Sequence, residues 1–288
     1  MAQQPLAYLD PAFLDSDEGR PIRILAEYLE PLRRFREQQI QDTVVFFGSA
    51  RVDSRERAER ALGTLRARGV KNADEQYELE LKTSHKAVEW ARFYEDAREL
   101  ARLLATWTKT IQSDTHRFVV TSGGGPGIME AANRGAHEAG GKTIGLNIRL
   151  PFEQGANPYI TDGLHFEFHY FFMRKFWFAY LAKALVVFPG GFGTMDELFE
   201  ILTLVQTDKL SKKICVVLYG REYWEKVLSL EPMAEWGAIA EKDLELLHYA
   251  DTPVDAFEHL RDHLIANHLE PAAPAPESGP PEIAKTRG

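Results

Sequence analysis

The sequence predicts an α/β fold: a doubly wound, mainly parallel sheet with helices on both faces. Three observations carry that prediction. Short β-branched or aromatic runs alternate with longer helical stretches. The runs lack strict apolar–polar alternation, as expected of strands covered on both faces. Glycine-rich loops stand directly between strand-like runs and helices, where such sheets bind ligands.

The strand candidates are 43–48 (TVVFFG), 117–122 (RFVVTS), 142–148 (KTIGLNI), 164–168 (LHFEF), 184–189 (ALVVFP) and 213–219 (KICVVLY). Between them the patterns HKAVEWARFYEDARELARLLATW, IMEAANRGAHEAG, FFMRKFWFAYLAKA and MDELFEILTLVQTDKL read as helices. Strand–helix alternation of this kind implies right-handed βαβ units. Residues 1–40 form an N-terminal extension with one helix, RILAEYLEPLRRFREQQI, and 41–268 form the main domain. The polar span 51–84 reads as an insertion after the first strand. Residues 269–288, rich in Pro, Ala and Ser, hold too little apolar bulk to offset the entropy of ordering and are expected to be disordered.

Composition excludes several function classes. Among 288 residues, 43 acidic side chains against 34 basic ones give a net charge of −9, which argues against a general nucleic-acid binder. No apolar stretch reaches the roughly 18–20 residues of a membrane span, and residues 1–15 lack the basic and apolar regions of a signal peptide. A cytoplasmic protein is expected. The single cysteine, Cys215, lies in an apolar run and reads as core. His165, Glu167 and His169 share one face of a strand, but without further ligands no metal is expected.

Three strand-end loops carry the candidate chemistry. After the first strand, Ser49 in Gly48-Ser49-Ala50-Arg51 offers a hydroxyl to an anion. After the second, 122–127 (SGGGPG) places Gly124, Gly125 and Gly127 at the start of a helix, where exposed amides and the positive helix end favour an anion. After the fifth, 189–194 (PGGFGT) places Gly190, Gly191, Gly193 and Thr194 in the same way. Two such loops on neighbouring strands can grip one phosphate. The dinucleotide fingerprint GxGxxG fails at both, because its third site is Ile128 in one and Asp196 in the other. AHEAGGKT (136–143) lacks the first glycine of a Walker A loop and precedes a strand, and TSHK (83–86) is a chance likeness to a pyridoxal-phosphate motif.

Glu197 stands three residues after Thr194, a spacing that serves two readings. T-x-x-E is a capping box; the same placement sets a carboxylate beside a sugar whose phosphate the loop holds. Met173, Arg174 and Lys175 open another helix. Cations in a first turn oppose the helix dipole, so an anionic ligand or a carboxylate such as Glu197 is the expected partner.

MRK (173–175) followed by PGGFGTMDE (189–197), with TSGGGPGIMEAANRGA (121–136) upstream, closely resembles the LOG (Lonely Guy) family of cytokinin riboside 5′-monophosphate phosphoribohydrolases, formerly labelled lysine decarboxylases. The resemblance runs from about Thr43 into the 260s. It implies a Rossmann-like fold and hydrolysis of nucleoside 5′-monophosphates, AMP or N6-prenylated AMP, to free base and ribose 5-phosphate. It also implies no metal or organic cofactor, catalytic roles for Arg174 and Glu197, a phosphate loop at Gly190–Thr194, and a homodimer or larger assembly. The chain departs from the short plant-type members at Phe171-Phe172-Met173, at Phe192, where they carry tyrosine, and at Asp196, where they carry glutamate. Its extension and insertion resemble the longer bacterial group. Two alternatives share the fold: a broad purine and pyrimidine monophosphate nucleosidase, and a molybdenum-cofactor carrier, which binds without hydrolysing.

Overall fold

A computed structural model describes residues 5–68, 75–150, 155–207, 209–210 and 212–269. Among them seven strands form one sheet: β1 (Thr43–Phe47), β2 (Val119–Ser122), β3 (Thr143–Ile148), β4 (His165–Phe168), β5 (Ala182–Val187), β6 (Cys215–Tyr219) and β7 (Leu247–Ala250). The order is β4-β3-β2-β1-β5-β6-β7, and every pairing is parallel. The chain winds outward from β1 to β4, then returns to lay β5 on the other side of β1. The switch of direction falls between β1 and β5, and there an open parallel sheet leaves a crevice at its carboxyl edge.

The helices are α1 (Pro11–Asp15), α2 (Arg20–Glu37), α3 (Arg55–Arg68), α4 (Glu75–Thr108), α5 (Ile128–Glu138), α6 (Phe171–Leu181), α7 (Phe192–Gln206), α8 (Arg221–Val227), α9 (Glu231–Glu235) and α10 (Pro253–Leu264). Alternate strand residues explain the two layers. Val44, Phe46, Val120, Val186 and Val217 pack under α4, α5 and α10. Val45, Phe47, Val119, Leu185 and Leu218 pack under α6 and α7, with Phe35 of α2 and Trp224 of α8. Both faces of β1, β2, β3, β5 and β6 are therefore covered, which is why those runs lack a period of two; edge strand β4 alternates between exposed and buried residues.

All six predicted strands are present. The span 51–84 folds as α3 and the first turns of α4, which starts ten residues before the predicted helix; residues 69–74 lie outside the described set. The 269–288 tail, apart from Leu269 at the end of a π-turn, also lies outside it. The segment AKA, predicted as the end of a helix, instead begins β5, where Ala182 pairs with Thr43. Cys215 is buried in the core, and burial pushes its thiol up to about 12. No helix among the described residues is long and apolar enough to cross a membrane.

Candidate active site

The three glycine-bearing loops meet at the β1/β5 switch. Ser49 N–H donates to the Pro189 carbonyl at 3.0 Å, and Ile128 N–H donates to the Ser49 carbonyl at 3.1 Å. The short loop after β1 is thus held between the other two. Such close backbone contact needs glycine. Gly127 has φ +71°, and a Cβ there would stand 2.3 Å from the Ser49 carbonyl oxygen. Gly124 has φ +72°, and its Cβ would stand 1.9 Å from Asn147 Oδ1.

Hydrogen bonds from a segment the sequence did not single out hold the 122–127 loop. Asn157 Nδ2 donates to the carbonyls of Gly124 (3.0 Å) and Gly125 (3.1 Å) and to Asn133 Oδ1 (2.9 Å), and Asn157 N–H donates to Gly124 O (2.8 Å). Asn133 is itself tied to Ser122 Oγ at 2.6 Å and to the Ile144 carbonyl at 3.1 Å. With its carbonyls clamped, the loop has one fixed shape. Tyr223 Oη does the same for the other loop, donating to the Gly190 carbonyl at 2.7 Å. In sequence, Asn157 shows only as an Asn-Pro turn signal and Tyr223 not at all.

The helix after the 189–194 loop begins at Phe192, with Gly191 as its N-cap and no side-chain cap. Thr194 therefore sits inside the first turn, and the capping-box reading of Thr194 and Glu197 fails: the helix starts three residues too early for it. Thr194 is buried, and Gly190 is needed to let its hydroxyl approach, since a Cβ at 190 would lie 2.1 Å from Thr194 Oγ1. The amides of Phe192 and Gly193, opening the helix, have no carbonyl of an earlier turn to accept them. They form a site for an anion. Phe192 itself projects into solvent, 96% exposed.

Freed from capping, Glu197 turns to α6. Arg174 Nη2 donates to Glu197 Oε1 at 3.1 Å, with side-chain exposures of only 15% and 6%. Lys175 Nζ lies 3.5 Å from Glu197 Oε2, 2.8 Å from Asp196 and 2.7 Å from Glu200. Phe171 and Phe178 flank the guanidinium at 5.1 and 5.5 Å, and Arg174 Nε is buried without an acceptor among the described residues. Burial raises the Glu197 carboxyl above its ordinary value, against the opposing pull of Arg174 and Lys175. Burial likewise lowers Arg174, although Glu197 pulls it up. Burial also lowers Lys175, but hydrogen bonds to Asp196 and Glu200 outweigh it and leave it raised. A buried, desolvated acid beside a buried cation is the pattern of groups tuned for chemistry.

The structure thus brings Gly124, Gly125, Gly127, Gly190, Gly191, Gly193, Thr194, Arg174, Lys175 and Glu197 to one edge of the sheet. Met173 differs: it is buried in the core beneath α6. The Ser49 hydroxyl accepts the Arg51 N–H at 3.1 Å and so serves its own turn. His165 and Glu167 lie on the exposed face of edge strand β4, with His169 exposed just beyond its end, and Arg149 pairs with Glu167 at 3.1 Å. Among the described residues no group of three or more His, Cys, Asp or Glu is placed to hold a metal ion.

Comparisons with known proteins match the part of the chain that holds this site. A family model described as "Possible lysine decarboxylase" matches residues 129–260, which include Arg174 and Glu197. The chain is 33% identical over 113 residues to a cytokinin riboside 5′-monophosphate phosphoribohydrolase of Rhodococcoides fascians, covering 38% of this chain and 56% of that one. It is 28% identical over 153 residues to the phosphoribohydrolase LOG of Oryza sativa subsp. japonica, covering 51% and 60%. The chain therefore spans a little over half the length of these curated relatives. Among solved structures, the Moco carrier protein of Chlamydomonas reinhardtii aligns with a TM-score of 0.43 at 19% identity, covering 78% of this chain and 99% of that one.

Proposed function

From the premise that the chain is a relative of the LOG-type phosphoribohydrolases, we propose that it hydrolyses the N-glycosidic bond of nucleoside 5′-monophosphates, AMP or its N6-prenylated form. The observation that carries this is the buried Arg174–Glu197 pair, set one helical turn from the amides that open α7. A 5′-phosphate at those amides and Thr194 places the ribose next to the Glu197 carboxylate. As the C1′–N bond breaks, positive charge develops on the sugar, and a desolvated carboxylate stabilises it. The departing base takes a proton from solvent on its nitrogen, water adds to C1′ with its proton passing to Glu197, and Glu197 returns that proton to solvent, so that one water is consumed. The products are free base and ribose 5-phosphate. Arg174 fixes the orientation of Glu197 and keeps it ionised, while phosphate binding remote from the bond positions the sugar.

The direct test is incubation with AMP and chromatography for adenine and ribose 5-phosphate. No release from AMP, prenylated AMP or any other monophosphate would overturn the reading. Arg174→Ala is expected to lower kcat/KM by about a hundredfold and to shift the acid limb of the pH profile upward, because the cation that opposes Glu197 protonation is gone. An unchanged limb would remove Arg174 from contact with the reacting carboxylate.

The same reading includes a homo-oligomer. Phe171 and Phe172 at the start of α6 and Phe192 at the start of α7 are exposed around the site, an apolar surface of the kind a second copy covers. Light scattering is expected to give at least a dimer; a monomer at micromolar concentration would refute it.

A further inference from the structure

We infer that Glu27, on the N-terminal helix α2, is a positioning residue for Arg174. Its carboxylate reaches residues 142 and 143 positions away: Oε1 accepts the N–H of His169 at 2.7 Å and Oε2 that of Tyr170 at 3.2 Å. Tyr170 is the N-cap of α6 and provides no side-chain cap of its own. Glu27 therefore caps the helix from outside. The Glu27 main-chain carbonyl accepts Trp177 Nε1–H at 2.9 Å, two turns further along. Tyr28 stacks on Trp177 at 5.9 Å, and Arg23 Nε donates to Tyr170 Oη at 3.3 Å. Two separated points of attachment fix both the rise and the rotation of α6.

This matters because α6 places Arg174 and Lys175 in its first turns without any acidic residue in the first turn. Two cations near the positive helix end oppose the dipole. Of the carboxylates that answer them, Glu197, Asp196 and Glu200 belong to α7. Glu27 instead holds the main chain that leads into α6, at His169 and the N-cap Tyr170, while Lys212 Nζ holds the far end of the helix at the Ala179 and Tyr180 carbonyls. Without its carboxylate the His169 and Tyr170 amides lose their acceptor; the Tyr170 carbonyl accepts the N–H groups of Met173 and Arg174, so the first turn drifts with Tyr170 and the 3.1 Å Arg174–Glu197 contact drifts with it. Small displacements of a catalytic group cost large factors in rate. The inference rests on the hydrolase reading, in which Arg174 orients Glu197. It makes the N-terminal extension part of the site's construction.

The test uses the full chain with Glu27→Ala, Glu27→Gln and, as a control on the same helix, Glu37→Gln, whose carboxylate pairs with Arg33 on the surface. Because the bond to Trp177 comes from the Glu27 main chain, it survives in all three. Glu27→Ala is expected to lower kcat for AMP by about tenfold with KM within about twofold, since the phosphate loop belongs to α7. Glu27→Gln, keeping one acceptor oxygen, should recover most of that loss, and the control should match the parent. Hydrogen exchange at 169–176 should rise in Glu27→Ala while exchange at 190–198 does not. An unchanged kcat, or loss of kcat with raised KM and faster exchange throughout, would overturn the inference. If the parent protein releases no base from any monophosphate, the functional reading fails separately. Exchange at 169–176 then decides alone: unchanged protection in Glu27→Ala refutes the positioning role.

Discussion

Glu197→Gln is expected to lower turnover of AMP by about a thousandfold while leaving AMP affinity within a few-fold of the parent. Glutamine keeps the shape and one acceptor oxygen for Arg174 Nη2, so the packing around α7 survives. It removes the negative charge that would face the developing sugar cation and the base that would take the proton from water. Binding is spared because the proposed phosphate contacts are amides and Thr194, on a different part of the same turn. The pH dependence expected of the parent tests the same assignment. The carboxylate acts only when ionised, and burial raises its pKa above the ordinary 4.5. Protonation therefore sets in at higher pH than for an exposed glutamate, and the acid limb of kcat/KM should lie above 4.5. In Glu197→Gln that limb should vanish from the residual activity. Near-parental turnover, or an acid limb that persists, would assign the chemistry to another carboxylate, with Asp196 and Glu200 the nearest to hand.

Much of this was legible in the sequence, for definite reasons. Strands buried on both faces produce dense apolar runs, and β1, β2, β3, β5 and β6 announce themselves in this way, while edge strand β4 shows as a short alternating run. The other edge strand, β7, does not announce itself: Leu247, His248 and Tyr249 are only partly buried, so the run is short and mixed. Helix α10 was missed despite a readable start, in which Thr252 accepts the Asp255 N–H and Pro253 takes the first helical position. The glycine loops were legible because few other functions require so much glycine between a strand and a helix. Glu197 was legible as a candidate partner of Arg174 and Lys175, but its role was not. T-x-x-E spacing fits a cap and a catalytic acid equally well, and only the position of Gly191 as N-cap separates them. Contacts between distant segments, such as Asn157 with the glycine loop or Glu27 with α6, leave no local periodicity. They appear only once the sheet order is known.

Gly127→Ala should damage fold and site together. At φ +71° an alanine is strained by about 1–2 kcal/mol. Its methyl would also stand 2.3 Å from the Ser49 carbonyl oxygen and 2.7 Å from the Ala50 carbonyl carbon, both backbone atoms with no rotamer to escape into. Relief requires separating the loop after β2 from the loop after β1. That separation breaks the Ile128 N–H bond to Ser49 O and loosens Ser49 N–H from Pro189 O. All three loops are linked through Ser49, so the phosphate site on α7 should open as well. The expected result is a stability loss of about 3–5 kcal/mol in urea unfolding. In whatever fraction remains folded, KM for AMP should rise by at least about tenfold. Gly63→Ala is the matched control. Gly63 is helical, with nothing within 4 Å of an added Cβ, so that change should leave KM alone and raise stability by up to about 1 kcal/mol. If Gly127→Ala melts like the parent and binds AMP as well, the loops are not locked through Ser49, and a single shared phosphate site loses its structural basis.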